Sequence, residues 1–169
     1  MGLVRVAVAT TSVLVATIIF LGGGVLGTFH HLYFSGTPVG VIALGSVFSA
    51  LEVVPLLVVG FEAYSRAKHE GVHDWQKAYR WPFMFFSSVL VWNLIGAGLF
   101  GFLINPPLAL YYMQGLNTTA THAHGALFGV YGMLGLGLIL FCMRGLTDPA
   151  RWNNKLLAIS FWCLNIGLA

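Results

Sequence analysis

Five long apolar stretches divide the chain, at about residues 4–27, 39–64, 82–104, 120–143 and 153–169, with short polar connections between them. Each is close to the roughly 20 apolar residues that a helix needs to cross a bilayer. The pattern therefore predicts an all-α, polytopic transmembrane helix bundle of about five spans. The first stretch is too long for a secretion signal, and Gly22-Gly23-Gly24 is a poor small-x-small cleavage site, so it is expected to stay as a span. The last ends at Gly167-Leu168-Ala169 with no polar flank, as if inside a helix. No internal repeat, low-complexity tract or domain boundary is visible, so residues 1–169 are expected to form a single transmembrane region.

Composition strengthens this picture. The chain is 58% apolar, 14% aromatic and only 8% charged, with a mean hydropathy of +0.85. A soluble domain carries roughly 25% charged residues, and a disordered one has low hydrophobicity and high charge. Both classes are excluded. The net charge of +3 is too slight to imply a nucleic-acid partner. Cys142 and Cys163 both lie in apolar runs, which argues against a disulfide or cysteine-based metal framework.

The placement of charge predicts orientation. The connection around 65–80 carries Arg66, Lys68, Lys77 and Arg80, and the one around 144–155 carries Arg144, Arg151 and Lys155. The connections around 28–38 and 105–119 carry no charge. Short basic loops stay cytoplasmic, so Arg5 and both basic connections are expected inside, in a multi-pass membrane protein. Trp75, Tyr79, Trp81 and Trp152 on one side and Tyr33, Tyr111 and Tyr112 on the other would form interfacial belts in contact with lipid.

The candidate chemistry lies where polar residues are costly. His69 and His73 fall in a basic connection and read as solvated side chains. His30 and His31 close the first span, and His122 and His124 open the fourth, so the topology puts all four at similar depth near the outer face. Ionisable groups inside a membrane are expensive and usually functional. His122 and His124, two residues apart, are about 200° apart around a helix, so they suit two separate metals or two haems better than one shared ion. His30 and His31 could converge on one metal. Imidazole suits iron, copper or zinc and is a standard axial haem ligand. The glycines at 96, 98, 101, 125, 129 and 132 would either give a haem flat walls or simply pack helices closely. Glu52 lies about 20 Å into the second span, near the midplane, where it is a candidate proton carrier or member of a metal's shell. Pro55 is expected to kink that helix. Asn93 reads as a packing hydrogen bonder, and Asn117-Thr118-Thr119 as a helix-start cap.

Taken together, these segments carry a resemblance. Gly27-Thr28-Phe29-His30-His31-Leu32-Tyr33 and Gly45-Ser46-Val47-Phe48-Ser49-Ala50-Leu51-Glu52-Val53-Val54-Pro55 resemble the metal-centre helices of haem-copper oxidase superfamily subunits. The run from Gly96 through Asn105-Pro106-Pro107, with Tyr111-Tyr112-Met113-Gln114-Gly115-Leu116 and Thr121-His122-Ala123-His124-Gly125, narrows the likeness to the quinol-dependent nitric oxide reductases. The resemblance implies a catalytic subunit with a low-spin and a high-spin haem b and a non-haem iron. His30 and His31 match two of three iron ligands, His122 the axial ligand of the high-spin haem, and His124 one of two axial ligands of the low-spin haem. Glu52 matches a buried glutamate associated with proton supply and the iron's surroundings. The implied reaction joins two NO molecules, two electrons and two protons into nitrous oxide and water, with quinol as electron donor.

The family's third iron histidine and second low-spin haem ligand have no counterpart here. The resemblance thus implies an internal portion of a longer chain that relies on the remaining helices of its parent. Two alternatives stand beside it. One is an oxygen-reducing oxidase with copper as second metal, whose preceding helix would carry His-x-x-x-Tyr rather than His-x-x-x-Glu. The other, of a different class, is a non-catalytic membrane bundle or degenerate fragment. A small ion transporter would use Glu52 but leave His-x-His unexplained.

Overall fold

The structure, a computed structural model, describes residues 2–70 and 74–169, so His73 lies outside the described residues. Among these there are helices and no strand. Helix α1 (Gly2–Gly27) tightens into a 3-10 turn, Thr28–Leu32, which carries His30 and His31. Phe34 and Gly36, both at positive φ, then reverse the chain into the next rod. That rod consists of α2 (Val39–Leu51) and α3 (Val53–Glu70), broken at Glu52. Pro55 accounts for the break: it has no N–H to offer the Leu51 carbonyl, and its ring crowds that carbonyl. The Glu52 N–H bonds to Ser49 O at 3.2 Å, a tighter three-residue closure.

A short α4 (Asp74–Ala78) leads to α5 (Arg80–Trp92), which passes through a π-helical segment, Asn93–Leu99, into α6 (Phe100–Ile104). Pro106-Pro107 ends this rod and starts the short α7 (Pro107–Met113). The next rod has the same construction: α8 (Asn117–His124), a second π segment at Gly125–Gly132, and α9 (Met133–Leu146). The last helix, α10 (Asn154–Leu168), is capped by Asn153, whose side chain accepts from the Lys155 and Leu156 N–H groups. Asn117-Thr118-Thr119 does not play that part for α8. Asn117 is already helical, and the capping position is Leu116, with no side-chain bond.

Four rods among the described residues are long and apolar enough to cross a membrane: Leu14–Leu32, Val39–Glu62, Arg80–Ile104 and Asn117–Leu146. Against five expected spans, α10 is apolar but has only 15 residues.

In a bilayer, helices gain little from hiding apolar surface and associate instead through close packing and interhelical hydrogen bonds. Both are visible here. Trp81, Phe85, Met133 and Phe161 form the buried core where α5, α9 and α10 meet, with Phe85 and Phe161 edge to face at 5.3 Å. Two bonds tie α10 to α5: Trp81 Nε1 donates to Asn154 Oδ1 at 2.7 Å, and Trp92 Nε1 donates to Asn165 Oδ1 at 2.9 Å. Each such bond contributes about 0.6–2 kcal/mol in a membrane.

Candidate functional site

The two π segments cross each other, and the site is built around that crossing. Each widened turn closes a hydrogen bond over five residues, from the Phe100 N–H to Ile95 O in the first and from the Met133 N–H to Phe128 O in the second. Such bulges cost helix geometry and are frequent at functional sites. Gly96 and Gly125 allow the contact: a Cβ on Gly96 would lie 2.7 Å from Gly125 Cα, closer than real atoms approach. Neither π segment was foreseeable from the sequence, where glycine-rich apolar runs read equally well as α-helix.

His122 and His124 occupy the last turn of α8, immediately before the second π segment. The half-buried His122 donates from Nδ1 to Gly96 O at 2.7 Å, across the crossing. A carbonyl can only accept, so Nδ1 carries a proton, and in the neutral form of the ring the lone pair lies on Nε2. Gly101 gives the ring a flat seat, since a Cβ there would lie 3.3 Å from His122 Cε1. His124 donates from Nδ1 to Ala120 O of its own helix at 2.8 Å, and its ring is exposed. His30 bonds from Nδ1 to Gly27 O within the 3-10 turn. Three of the four candidate imidazoles therefore hold the same tautomer, with Nε2 left for a ligand.

A cavity of about 390 Å³ brings His30, His31, Glu52 and His122 together. His124 is not part of its wall, so the structure separates the two histidines of the His-x-His pair. His30 and His31 stack, with ring centroids 4.1 Å apart and planes tilted by 34°. Glu52 reaches the cavity because the helix breaks at its position and because α1 offers a side-chain-free strip. A Cβ on Gly27 would lie 3.0 Å from Glu52 Oε1, and one on Gly24 3.7 Å from it.

Several polar residues of the wall were missed or undervalued in the sequence. Asn105, only 2% exposed, lies behind the cavity and donates from Nδ2 to the buried Ser49 Oγ at 2.8 Å. Its position before Pro106-Pro107 resembles an ordinary loop residue, and only the fold reveals its burial. Asn93, read as a packing residue, also lines the cavity, as does Tyr131.

The donors suit a metal centre in kind. Imidazole nitrogens with a free lone pair and a neighbouring carboxylate are ligands for iron or copper, and a histidine pinned through Nδ1 is the usual form of an axial haem ligand. In number they fall short: among the described residues, no group of three or more His, Cys, Asp or Glu side chains is placed to hold a metal ion.

Comparison with known proteins gives two findings. The family model described as cytochrome c and quinol oxidase polypeptide I matches residues 3–169. A nitric oxide reductase subunit of Stutzerimonas stutzeri is 30% identical over 152 residues, which make up 86% of this chain. The chain spans about a third of that curated relative, the match covering 31% of its length.

Proposed function

This chain belongs to the cytochrome c and quinol oxidase polypeptide I family, an oxidoreductase family of integral membrane proteins, and from that premise we propose that it is part of a respiratory nitric oxide reductase. The observation that supports this most is the cavity shared by His30, His31, Glu52 and His122, with His124 turned away from it. One active cavity and one separate electron-donor position require that division. The 30% identity to a nitric oxide reductase subunit supports the same choice within the family.

In this reading His122 Nε2 would hold the high-spin haem b, with Gly96 O fixing the plane of the ring and raising its basicity through Nδ1. The exposed His124 would hold the low-spin haem b. His30 and His31 supply two ligands to a non-haem iron, and further ligands come from the remaining helices of the parent chain. When bound, the haem and iron supply the binding and reduction of NO. Glu52, at the helix break, carries protons into the cavity, where two NO, two electrons and two protons yield nitrous oxide and water. Quinol is the electron donor. The protein would lie in the bacterial inner membrane with its basic connections on the cytoplasmic side.

The test is a cofactor census joined to turnover. The purified parent protein should contain two haems b and one non-haem iron per chain, and should convert NO to nitrous oxide anaerobically with reduced quinol. Copper in place of the iron would favour an oxygen-reducing oxidase and overturn the assignment. His122→Ala should remove the high-spin haem spectrum and His124→Ala the low-spin one. Unchanged spectra in both variants would refute the ligand roles.

A further inference from the structure

A second cavity, of about 470 Å³, lies far along the bundle from the histidines, where the starts of α5 and α10 meet the end of α9. Its wall carries Lys77, Arg80 and Arg144, and no Asp or Glu lines it. Trp81 and Trp152 form its apolar sides. The cations are held in place. The Arg80 guanidinium lies 5.3 Å from the Trp81 ring, and that of Arg144 lies 5.6 Å from the Trp152 ring and 5.9 Å from Tyr79. Arg144 donates from Nε to Ala78 O at 2.9 Å, which leaves its other N–H groups for a ligand. Of the acids at this end, Asp74 pairs with Lys77 at 2.8 Å from a fully solvated position, and the exposed Asp148 accepts from the Ala150 N–H and does not line the cavity. The helix α5 begins here without a side-chain cap, and the Arg80 and Trp81 N–H groups of its first turn add to the positive potential, Pro82 having none.

The chemistry of the wall suits a phosphate anion, and the surroundings indicate where the phosphate comes from. The cavity opens at the basic ends of membrane-spanning helices, and the paired tryptophans mark interfacial depth. From its rim an aromatic strip runs along α5 and α9 through Tyr79, Phe141 and Phe86, with ring centroids 4.9 and 6.4 Å apart. Phe141 and Leu138 on this strip are exposed. A soluble phosphate ester would leave that strip unused, whereas an acyl chain would cover it. Basic pockets between spans are suited to anionic headgroups. We propose that this cavity binds the phosphate headgroup of an anionic phospholipid, with the acyl chains lying along the Tyr79, Phe86 and Phe141 strip.

The test measures lipid selectivity on the intact purified protein in nanodiscs, using spin-labelled phosphatidylglycerol and phosphatidylcholine as probes. Wild type should immobilise phosphatidylglycerol in preference to phosphatidylcholine. Arg80→Gln and Lys77→Gln, at side chains that make no interhelical hydrogen bond, should each weaken that preference, by about fivefold at roughly one charge's worth of headgroup attraction. Lys155→Gln, an exposed cation at the same end but outside the cavity wall, should leave it unchanged. Equal preference in wild type and both cavity variants would overturn the site. Full displacement of phosphatidylglycerol by millimolar inorganic phosphate would overturn the lipid as the source of the phosphate. Circular dichroism of each variant separates loss of binding from loss of fold.

Discussion

Alanine in place of Gly96 tests the crossing on which the site is built. Its Cβ would sit 2.7 Å from Gly125 Cα and 2.8 Å from Gly125 C, both backbone atoms that no rotamer change can move. Ordinary contact begins near 3.4 Å, so the two rods must separate by at least about 0.7 Å. His122 travels with Gly125, and its 2.7 Å bond to Gly96 O would stretch towards the limit of hydrogen bonding. Overpacking costs about 1–3 kcal/mol and the lost bond about 0.5–1.5, or about 2–4 kcal/mol together. Gly135, in α9, is the control because a Cβ there meets nothing within 4 Å. At that position alanine should stabilise by about 0.5–1 kcal/mol, through backbone entropy alone. Thermal unfolding of the detergent-solubilised protein, followed by tryptophan fluorescence, should show opposite signs. The Gly96→Ala midpoint should fall by about 5–15 °C, and that of Gly135→Ala should rise slightly. If Gly96→Ala melted at or above wild type, the close approach of the π segments would be refuted.

Three further outcomes follow from the same physical reasoning. Asn105→Ala leaves the buried Ser49 hydroxyl without its donor and should cost about 1–3 kcal/mol, whereas combining it with Ser49→Ala should recover part of that loss; a double-mutant cycle in urea unfolding measures the coupling. Pro55→Ala restores the N–H that Leu51 O lacks and should straighten the rod at Glu52. On the proposed function, the parent protein with this change should accumulate normally but lose NO turnover, and unimpaired turnover would count against the break as the device that delivers the carboxyl. Asn165→Ala removes the acceptor of Trp92 Nε1 and should loosen α10, seen as faster amide exchange over Asn154–Leu168 with little change in α5.

Much of the architecture is legible in the sequence because the bilayer imposes length and polarity so strictly. Apolar runs of the right extent declare the rods, and Pro55 declares the break that the structure has beside it. The histidines stand out because so few other polar groups occur within spans. What escapes reading is whatever depends on two segments meeting. The π segments arise where Gly96 meets Gly125, and either glycine alone looks like any small residue in a helix. Gly23 and Gly24 read only as part of a poor cleavage site until Glu52 is seen lying against them and Gly27. Asn105 reads as a connection because its neighbours are prolines, yet it is nearly inaccessible. Asn117 looks like a cap by composition, but the helix starts one residue too early for its side chain to serve.

The two histidines of α8 take their orientation from different places. The His124 ring is set by Ala120, one turn back on the same helix, so its aim exists as soon as that helix does. The His122 ring is set by a carbonyl on another rod and has no fixed aim until the two rods dock. The pair therefore matures in order: one ring is ready during insertion, and the other becomes ready only with bundle assembly. An imidazole pinned in this way acts as a checkpoint, because His122 Nε2, unlike that of the locally pinned His30, takes its aim only after the helices around the cavity have closed.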